Sequence, residues 1–304
     1  MARLTDDRAA FGWRTFTHHL ASFTVLLLAA ALLLGASIGM KPLEARAAGA
    51  VAHAGPRIDI TWPPLGSAKP GTWLPRDQQE RLAALAASAA GEDPSLFSPE
   101  PLRRVSEALA KTGWFSAAPL VRRCADGRIL VEGDWRVPAA VVRKNGKDRV
   151  ISWDARLLPL EYETGRAKLP AILDPALDAP VAGAAWSGED IAASLELLAT
   201  VLREPWAAQV TGIDASQFST SASLSIVTSG GRVVWGGRPS KPRVGEVSTR
   251  QKLLHLLQLQ HDFSRIDAGY PLIYVNSARL QFDTSASAAA RAQQEAQAEP
   301  EQPQ

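Results

Sequence analysis

The chain has 304 residues, of which 46% are apolar, so it is long enough for two ordinary domains with sizeable cores. Its charge is nearly balanced, with 33 Lys and Arg against 31 Asp and Glu and a formal net charge of +2. A nucleic-acid-binding surface needs clustered positive charge, which this balance does not indicate. The single cysteine, Cys124, excludes an intrachain disulfide framework and a multi-cysteine metal site; it is typical of a small strand residue rather than a reactive thiol.

Residues 20–40 form an apolar run without a charged side chain. At a rise of about 1.5 Å per residue, a helix over this run is long enough to cross the hydrocarbon core of a bilayer. We therefore predict an uncleaved transmembrane helix at 20–40, a cytoplasmic N-terminus at 1–19 and a location in the inner (cytoplasmic) membrane, with the bulk of the chain outside the cytoplasm. The alternative is a cleaved signal peptide, because residues 44–50 contain an Ala-x-Ala site.

A pattern of one strand, two helices and two strands follows an Ala- and Gly-rich linker at 41–56. The predicted elements are a strand at 57–62, helices at 76–90 and 98–113, and strands at 118–124 and 128–135. Asp126-Gly127 is a strong hairpin signal between the last two strands. This order predicts a small sheet with two helices packed on one of its faces.

Two large aromatic residues, Trp114 and Phe115, stand directly after Gly113, the predicted end of the second helix. At this point the chain has to turn back from the helix onto the sheet. Burial of each aromatic side chain there contributes about 2–3 kcal/mol. We interpret both as structural wedges between helix and sheet rather than as ligand-binding residues.

The remainder of the chain is rich in strands and contains two longer helical patterns. The predicted elements are a hairpin at 139–153 around Asn145-Gly146, a helix at 187–204, strands at 209–216, 222–228 and 232–236, a helix at 248–263 and a last strand at 270–282. Residues 284–304 are mostly Ala, Gln, Glu and Pro, with little to bury, and are predicted to be a disordered tail.

No convergent set of catalytic or metal-binding residues stands out in the sequence. His255 and His261 are six residues apart on a predicted helix, which is the wrong spacing for one helix face. The Gly-Gly-Arg at 230–232 lacks the Lys-Ser/Thr ending of a phosphate loop and leads into a strand. We therefore predict that the protein is not an enzyme and has no catalytic residue, cofactor or metal site.

The ordered set of these segments resembles the FtsQ/DivIB family of bacterial cell-division proteins. The segments that carry the resemblance are LRRVSEALAKTGWFSAAPLVRRCADGRILVEGDWRVPAAVV (102–142), VISWDARLLPL (150–160), RVVWGG (232–237), KLLHLL (252–257) and LIYVN (272–276). The resemblance implies an α+β fold class with an N-terminal transmembrane helix, a POTRA-like β-α-α-β-β module at 57–138 and a second, β-rich α+β domain at 139–283.

The same resemblance implies a function, that of a non-enzymatic, single-span scaffold of the division complex at the septum. Its partners would be FtsB-like and FtsL-like membrane proteins, bound outside the cytoplasm by strand addition. A terminal strand leaves backbone groups unpaired, which an incoming strand satisfies. The implied partner-binding residues are Tyr274, Val275, Asn276, Arg279 and Phe282. The chain departs from the family at Asn276, where the family usually has an acidic residue.

An alternative from another class is an anchored or secreted POTRA-containing protein that acts in envelope biogenesis as a docking module or chaperone. In that case the activity would lie in the module at 57–138 rather than in the last strand. An enzyme would need a cleft with shifted titratable groups, which no segment indicates.

Overall fold

The computed structural model describes residues 57–65, 71–91 and 98–283. These residues form two separate sheets, one of three strands and one of nine. The described residues within 57–108 and 120–132 form one compact unit, and 109–119 together with 133–283 form a second.

The first unit contains the three-stranded sheet and most of two helices. Its elements are β1 (Ile58–Ile60), α1 (Arg76–Ala90), α2 (Glu100–Ala110), β2 (Leu120–Arg123) and β3 (Ile129–Glu132). The strand order is β1-β3-β2, with β1 parallel and β2 antiparallel to the central β3. The elements thus follow one another as strand, helix, helix, strand and strand.

Helix α1 buries one stripe of side chains at every fourth position, namely Gln78, Leu82, Ala86 and Ala90. This spacing places the four side chains on one face of the helix. The Arg104 guanidinium of α2 donates hydrogen bonds to the carbonyls of Ala89 at 3.0 Å and Ala90 at 2.9 Å. A cation at the carbonyl end of α1 satisfies acceptors that the helix itself leaves open.

The second unit contains the nine-stranded sheet and two longer helices. Its strands are β4 (Pro138–Lys144), β5 (Lys147–Ser152), β6 (Leu157–Glu163), β7 (Ala171–Leu173), β8 (Gly212–Asp214), β9 (Leu224–Val227), β10 (Arg232–Gly236), β11 (Leu272–Tyr274) and β12 (Gln281–Asp283). Its helices are α3 (Glu189–Val201), the short α4 (Phe218–Ser221) and α5 (Thr249–Phe263), with a 3-10 turn at Ala207–Gln209.

The nine strands are ordered β12-β11-β10-β9-β8-β7-β4-β5-β6 and form a mixed sheet. Helix α3 connects the parallel pair β7 and β8, and α5 connects the parallel pair β10 and β11. Parallel neighbours need such crossover connections, and the helix of each crossover covers a face of the sheet.

One row of fully buried β-branched residues crosses five neighbouring strands of this sheet. In register, the row is Ile172, Ile213, Ile226, Val233 and Ile273. It belongs to the same apolar cluster as Leu197 and Leu198 of α3 and Leu256 and Leu259 of α5. The core of the second unit therefore lies between this face of the sheet and the two helices.

The fold class predicted from the sequence is wrong in its membrane-spanning part. The described residues form an α+β structure with two mixed sheets, and none of the helices they contain is long and apolar enough to cross a membrane. The predicted span at 20–40 lies outside the described residues, as do the segments 1–19, 41–56 and 284–304.

The predicted last strand at 270–282 also needs correction, because it is two short strands. Strands β11 and β12 pair antiparallel, and residues 275–280 connect them as a turn. Because β12 is the last strand of the nine-stranded sheet, its outward-facing residues form one edge of that sheet.

Candidate docking edge

The nine-stranded sheet ends at β6 on one side and at β12 on the other. Strand β6 is protected over the first part of its outer edge. Leu157 donates to the carbonyl of Ala184 at 3.0 Å and accepts from the N–H of Gly183 at 2.7 Å, so a neighbouring segment already covers its first residue. Pro159 follows in the same strand and has no N–H to offer. Prolines and covered ends are devices that prevent pairing with another chain.

The hydrogen bonds of β11 fix the orientation of its residues. The N–H of Val275 donates to the carbonyl of Val234 at 3.2 Å, and the N–H of Arg232 donates to the carbonyl of Pro271 at 2.8 Å. Successive residues of a strand direct their backbone groups to opposite sides. The odd-numbered residues of this strand therefore face β10, and Leu272 and Tyr274 face β12.

It follows which residue of β12 faces outward. Gln281 lies opposite Tyr274, and Asp283 lies opposite Leu272, so these pairs carry the backbone hydrogen bonds between β11 and β12. The N–H and C=O of Phe282, between them, point away from β11 to the open edge. Within the described ranges, no further strand pairs with β12 on that side.

An aromatic pair accompanies this open edge. The Phe282 side chain is 39% exposed, and its ring centroid lies 4.9 Å from that of Tyr270. The two tilted rings offer an incoming chain an apolar contact next to the free backbone groups.

The five residues predicted to bind a partner lie in different environments. Phe282 is at the outer edge, and Arg279 is exposed in the turn before β12. Tyr274 is half-buried in β11, and the carbonyl of Asn276 accepts the N–H of Val247 at 3.0 Å. Val275 is fully buried and its N–H is bonded to β10. The structure thus places Phe282 at the edge, Arg279 in the turn that precedes it and Val275 in the core.

A buried histidine fixes the end of β11. Nδ1 of His255 lies 3.3 Å from the carbonyl oxygen of Val275, and Nε2 lies 3.1 Å from the amide nitrogen of Gln251. These contacts fit the tautomer in which Nδ1 donates and Nε2 accepts. His255 thereby supports the hairpin formed by β11 and β12, a role that its spacing in the sequence did not indicate.

A buried ion pair clamps the base of the loop at 237–247, which precedes α5. Glu246 accepts from the Lys252 ammonium at 2.8 Å and from the N–H of Gly237 at 3.0 Å. The Lys252 side chain is fully buried, and its nitrogen lies 5.1 Å from the centroid of the Trp235 ring. Burial works to raise the pKa of Glu246, but the hydrogen bonds from Lys252 and Gly237 outweigh it and hold that pKa below its usual value.

A pocket of about 400 Å³ opens on the sheet face opposite the buried row. Its lining includes Arg143, Lys168, Leu173, Gly212 and Val227. A Cβ on Gly212 would lie 2.1 Å from the carbonyl oxygen of Ala171, so only glycine fits at the floor of the pocket.

The charge of Arg143 in this pocket is already matched. Its guanidinium donates to both oxygens of Asp148, at 2.8 Å and 2.9 Å, and Asp148 is fully buried. In the part of the chain that the structure describes, no three His, Cys, Asp or Glu residues group as metal ligands. The guanidinium of Arg143 is therefore already engaged by Asp148.

The pH dependence of stability tests the pairing of Arg143 with Asp148. The Arg143 hydrogen bonds hold the pKa of Asp148 below its usual value against the effect of burial, with help from the N–H of Gly165. Because the folded-state pKa is depressed, the stabilisation is present at neutral pH and is lost as the pH falls below about 4. In urea unfolding across this pH range, the free energy of unfolding should fall more steeply with decreasing pH for the native chain than for Asp148→Asn. Equal losses in both proteins would contradict the assignment.

The chain matches none of the models of known protein families with which it was compared. A search of curated proteins likewise finds no significant match. The function is therefore inferred from the geometry of the sheet edges and from the resemblance carried by the sequence segments.

Proposed function

We propose that this protein is a non-enzymatic docking scaffold that binds a partner protein by adding an extended strand to the outer edge of β12. The observation that carries the proposal is the asymmetry of the nine-stranded sheet. One edge is covered at Leu157 and interrupted by Pro159, and the other directs the N–H and C=O of Phe282 outward.

The physical basis is ordinary strand pairing. Each backbone hydrogen bond to an added strand contributes about 0.5–1.5 kcal/mol net, and alternate side chains of the added strand supply the selectivity. Here those side chains would meet Phe282 and Tyr270, whose rings form a partly exposed aromatic surface. An edge of this kind favours one extended segment over a globular surface.

The resemblance to the FtsQ/DivIB family supplies the proposed partner class. FtsB-like and FtsL-like proteins of the bacterial division complex would provide the added strand, and the protein would act at the division septum. A scaffold needs no cofactor, and its activity is the assembly of these partners.

Phe282→Pro is the sharpest test of strand addition. Proline removes the outward N–H of residue 282, while the bonds of Gln281 and Asp283 to β11 use other atoms. We expect the affinity of the full-length chain for the purified FtsB-like and FtsL-like proteins of the same cell to fall about 100-fold or more. Affinity is measured by biolayer interferometry with the full-length protein immobilised.

Phe282→Ala is the matched control, since it removes the ring and keeps the N–H. The affinity of Phe282→Ala for the partner proteins should fall about 10-fold, which is less than the fall for Phe282→Pro. Thermal unfolding of both variants should match that of the native chain. Equal binding by the proline and alanine variants would show that the backbone edge does not contribute.

A second candidate function is docking through the first unit, as expected for an envelope-biogenesis module. Strand β2 is an edge of the three-stranded sheet, and Leu120 in it is 63% exposed. The N–H of Thr61 donates to the carbonyl of Val131 at 2.9 Å, so the alternation along β3 leaves the backbone groups of Val121 pointing outward. Binding lost in Val121→Pro and kept in Phe282→Pro would favour this second function.

A further inference from the structure

The face of the nine-stranded sheet that points away from α3 and α5 carries the pocket of about 400 Å³. Its floor consists of side chains from two neighbouring rows of this face. In register, the first row contains Ala171, Gly212 and Val227, and the second contains Arg143 and Leu173. They alternate along their strands with fully buried residues of the helix-covered face, so they point to the opposite side. A volume of this size is within the range of small-molecule sites, about 300–1,000 Å³.

Small residues form the centre of the floor. In the first row, Ala171 and Gly212 lie between Val141 of β4 and Val227 of β9. No side chain can fill the space at Gly212, because a Cβ there would lie 2.1 Å from the carbonyl oxygen of Ala171. Further apolar lining comes from Leu169, Pro170, Leu173 and Val210. The pocket therefore offers a preformed surface to a small apolar group.

The guanidinium of Arg143 is fixed in the pocket by the buried carboxylate of Asp148. Nε and Nη2 donate to its two oxygens, at 2.8 Å and 2.9 Å. This side-on arrangement leaves Nη1 directed away from the carboxylate, and within the described residues Nη1 has no acceptor. Arg143 thus keeps free donors in a fixed position although its charge is matched.

The same carboxylate anchors the loop at 164–170, which supplies one wall of the pocket. Asp148 accepts the N–H of Gly165 at 2.8 Å, near the start of the loop. At the end of the loop, the carbonyl of Pro170 accepts the N–H of Val141 at 2.9 Å. Groups on a loop that is held at both ends lose little conformational freedom when a ligand binds.

Lys168 in this loop supplies a charge that is not matched. Its side chain is exposed and lines the pocket, and it has no ion-pair partner within 4.0 Å in the part of the chain that the structure describes. The carboxylate of Glu163, which precedes the loop, is bound to Lys147 at 2.7 Å. None of the described residues that line the pocket is acidic. With Arg143 neutralised by Asp148, the pocket carries the surplus positive charge of Lys168.

The polar side chains of the lining define the group that they would bind. Arg143 and Lys168 have only donors, and the Thr211 hydroxyl already donates to the carbonyl of Val227 at 3.1 Å. A bound group therefore has to accept hydrogen bonds from cations. A carboxylate does so, and its single charge equals the surplus, whereas a phosphate group carries up to about two negative charges near neutral pH.

We propose that this pocket binds a small monocarboxylate with a branched apolar body. The carboxylate would accept from Nη1 of Arg143 and from the Lys168 ammonium, and the apolar body would lie over Gly212 and Val227. The site is separate from the docking edge, because β10 and β11 stand between β9 and β12. The protein would therefore have a ligand-binding function beyond partner docking, and this function does not depend on strand addition.

Isothermal titration calorimetry of the full-length chain with isocaproate tests the pocket. We expect a dissociation constant of about 0.1–1 mM, as is usual for a ligand with so few atoms. Isocaproamide has the same body without the charge, and acetate has the charge without the body. Each should bind at least about 10-fold more weakly than isocaproate.

Two matched lysine variants locate the binding. Lys168 and Lys241 are both exposed and lack an ion-pair partner among the described residues, but only Lys168 lines the pocket. Lys168→Gln should weaken isocaproate binding about 5-fold, and Lys241→Gln should change it less than about 2-fold. Val227→Phe places a larger side chain on the floor and should weaken binding at least about 10-fold. If Val227→Phe unfolds at a lower temperature than the native chain, the lysine pair alone decides.

The possible results are distinct. No measurable heat at about 10 mM isocaproate would overturn the site. Equal affinity for isocaproate and isocaproamide, or equal effects of Lys168→Gln and Lys241→Gln, would overturn the binding of a carboxylate in this pocket. Phe282→Pro should bind isocaproate as the native chain does, whether or not it binds partner proteins. Loss of isocaproate binding in Phe282→Pro would contradict a site separate from the docking edge.

Discussion

Glu246→Ala should lower the free energy of unfolding by about 3–5 kcal/mol, because it leaves the Lys252 ammonium buried without a counter-charge. Both side chains of the pair are buried, with 5% exposure for Glu246 and none for Lys252. The carboxylate also accepts the N–H groups of Gly237 and Arg243 at 3.0 and 3.3 Å, which would lose their acceptor. Burial already lowers the pKa of Lys252, so the remaining lysine would lose its proton more readily.

Urea unfolding at neutral pH measures this effect, and two further variants make it specific. The double change Glu246→Gln with Lys252→Met removes both charges and should recover most of the loss, since replacing a buried ion pair by neutral groups is often close to neutral. Glu80→Ala removes an exposed partner of Arg76 and should cost no more than about 1 kcal/mol. If Glu246→Ala and Glu80→Ala lower the free energy of unfolding by the same amount, the Glu246–Lys252 pair does not clamp the loop at 237–247.

The helices α1 and α5 were predictable because their apolar spacing and end signals are local. The pattern for 76–90 gives α1 with the same bounds, and that for 248–263 gives α5 to within one residue. Asn145-Gly146 likewise marks the turn between β4 and β5. In each case, neighbouring residues alone carry the information.

The docking edge was only partly predictable, since its geometry depends on distant pairing. Residues 270–282 have the composition of one strand, but Asn276 is bonded to Val247 and the chain turns before β12. Strand β7 has three residues and no periodicity to detect. Which of Val275 and Phe282 faces the open edge follows from the hydrogen-bond direction of β10, which no local pattern contains.

The Glu246 and Lys252 pair shows the same limit for charges. In the sequence they are two ordinary charged residues, six apart, among several basic neighbours. Only the packing of α5 on the sheet makes one of them fully buried over Trp235. Burial of a charge is a property of the tertiary structure, and the sequence indicated nothing of it.

The aromatic corner after α2 was found from the sequence, although the surroundings differ from the interpretation given there. Trp114 and Phe115 are both buried, and the segment 109–119 groups with the second unit. The Phe115 ring centroid lies 4.3 Å from that of Trp135. Gly113, with φ of +84°, approaches Gly183 so closely that a Cβ would lie 2.7 Å from its Cα. Backbone and rings together hold the corner within the second unit.

Arg136 adds polar contacts that fix the same corner. Its N–H donates to the carbonyl of Trp114 at 2.8 Å, and its guanidinium donates to the carbonyls of Gly113 at 3.0 Å and of Phe115. With its backbone held in this way, the corner has little freedom to collapse around a missing side chain. A cavity at position 114 would therefore persist, and persistent cavities give the larger losses of stability.

Trp114→Ala is accordingly expected to destabilise the protein by about 3–5 kcal/mol, measured by urea unfolding of the full-length chain. Trp153→Ala is the matched control, because Trp153 is 44% exposed and its loss should stay within about 1 kcal/mol. Trp114→Phe keeps part of the side-chain volume, so its loss of stability should lie between those of Trp114→Ala and Trp153→Ala. An unfolding midpoint for Trp114→Ala equal to that of the control would show that the corner relaxes freely, and the aromatic pair would then not be what holds this segment to the second unit.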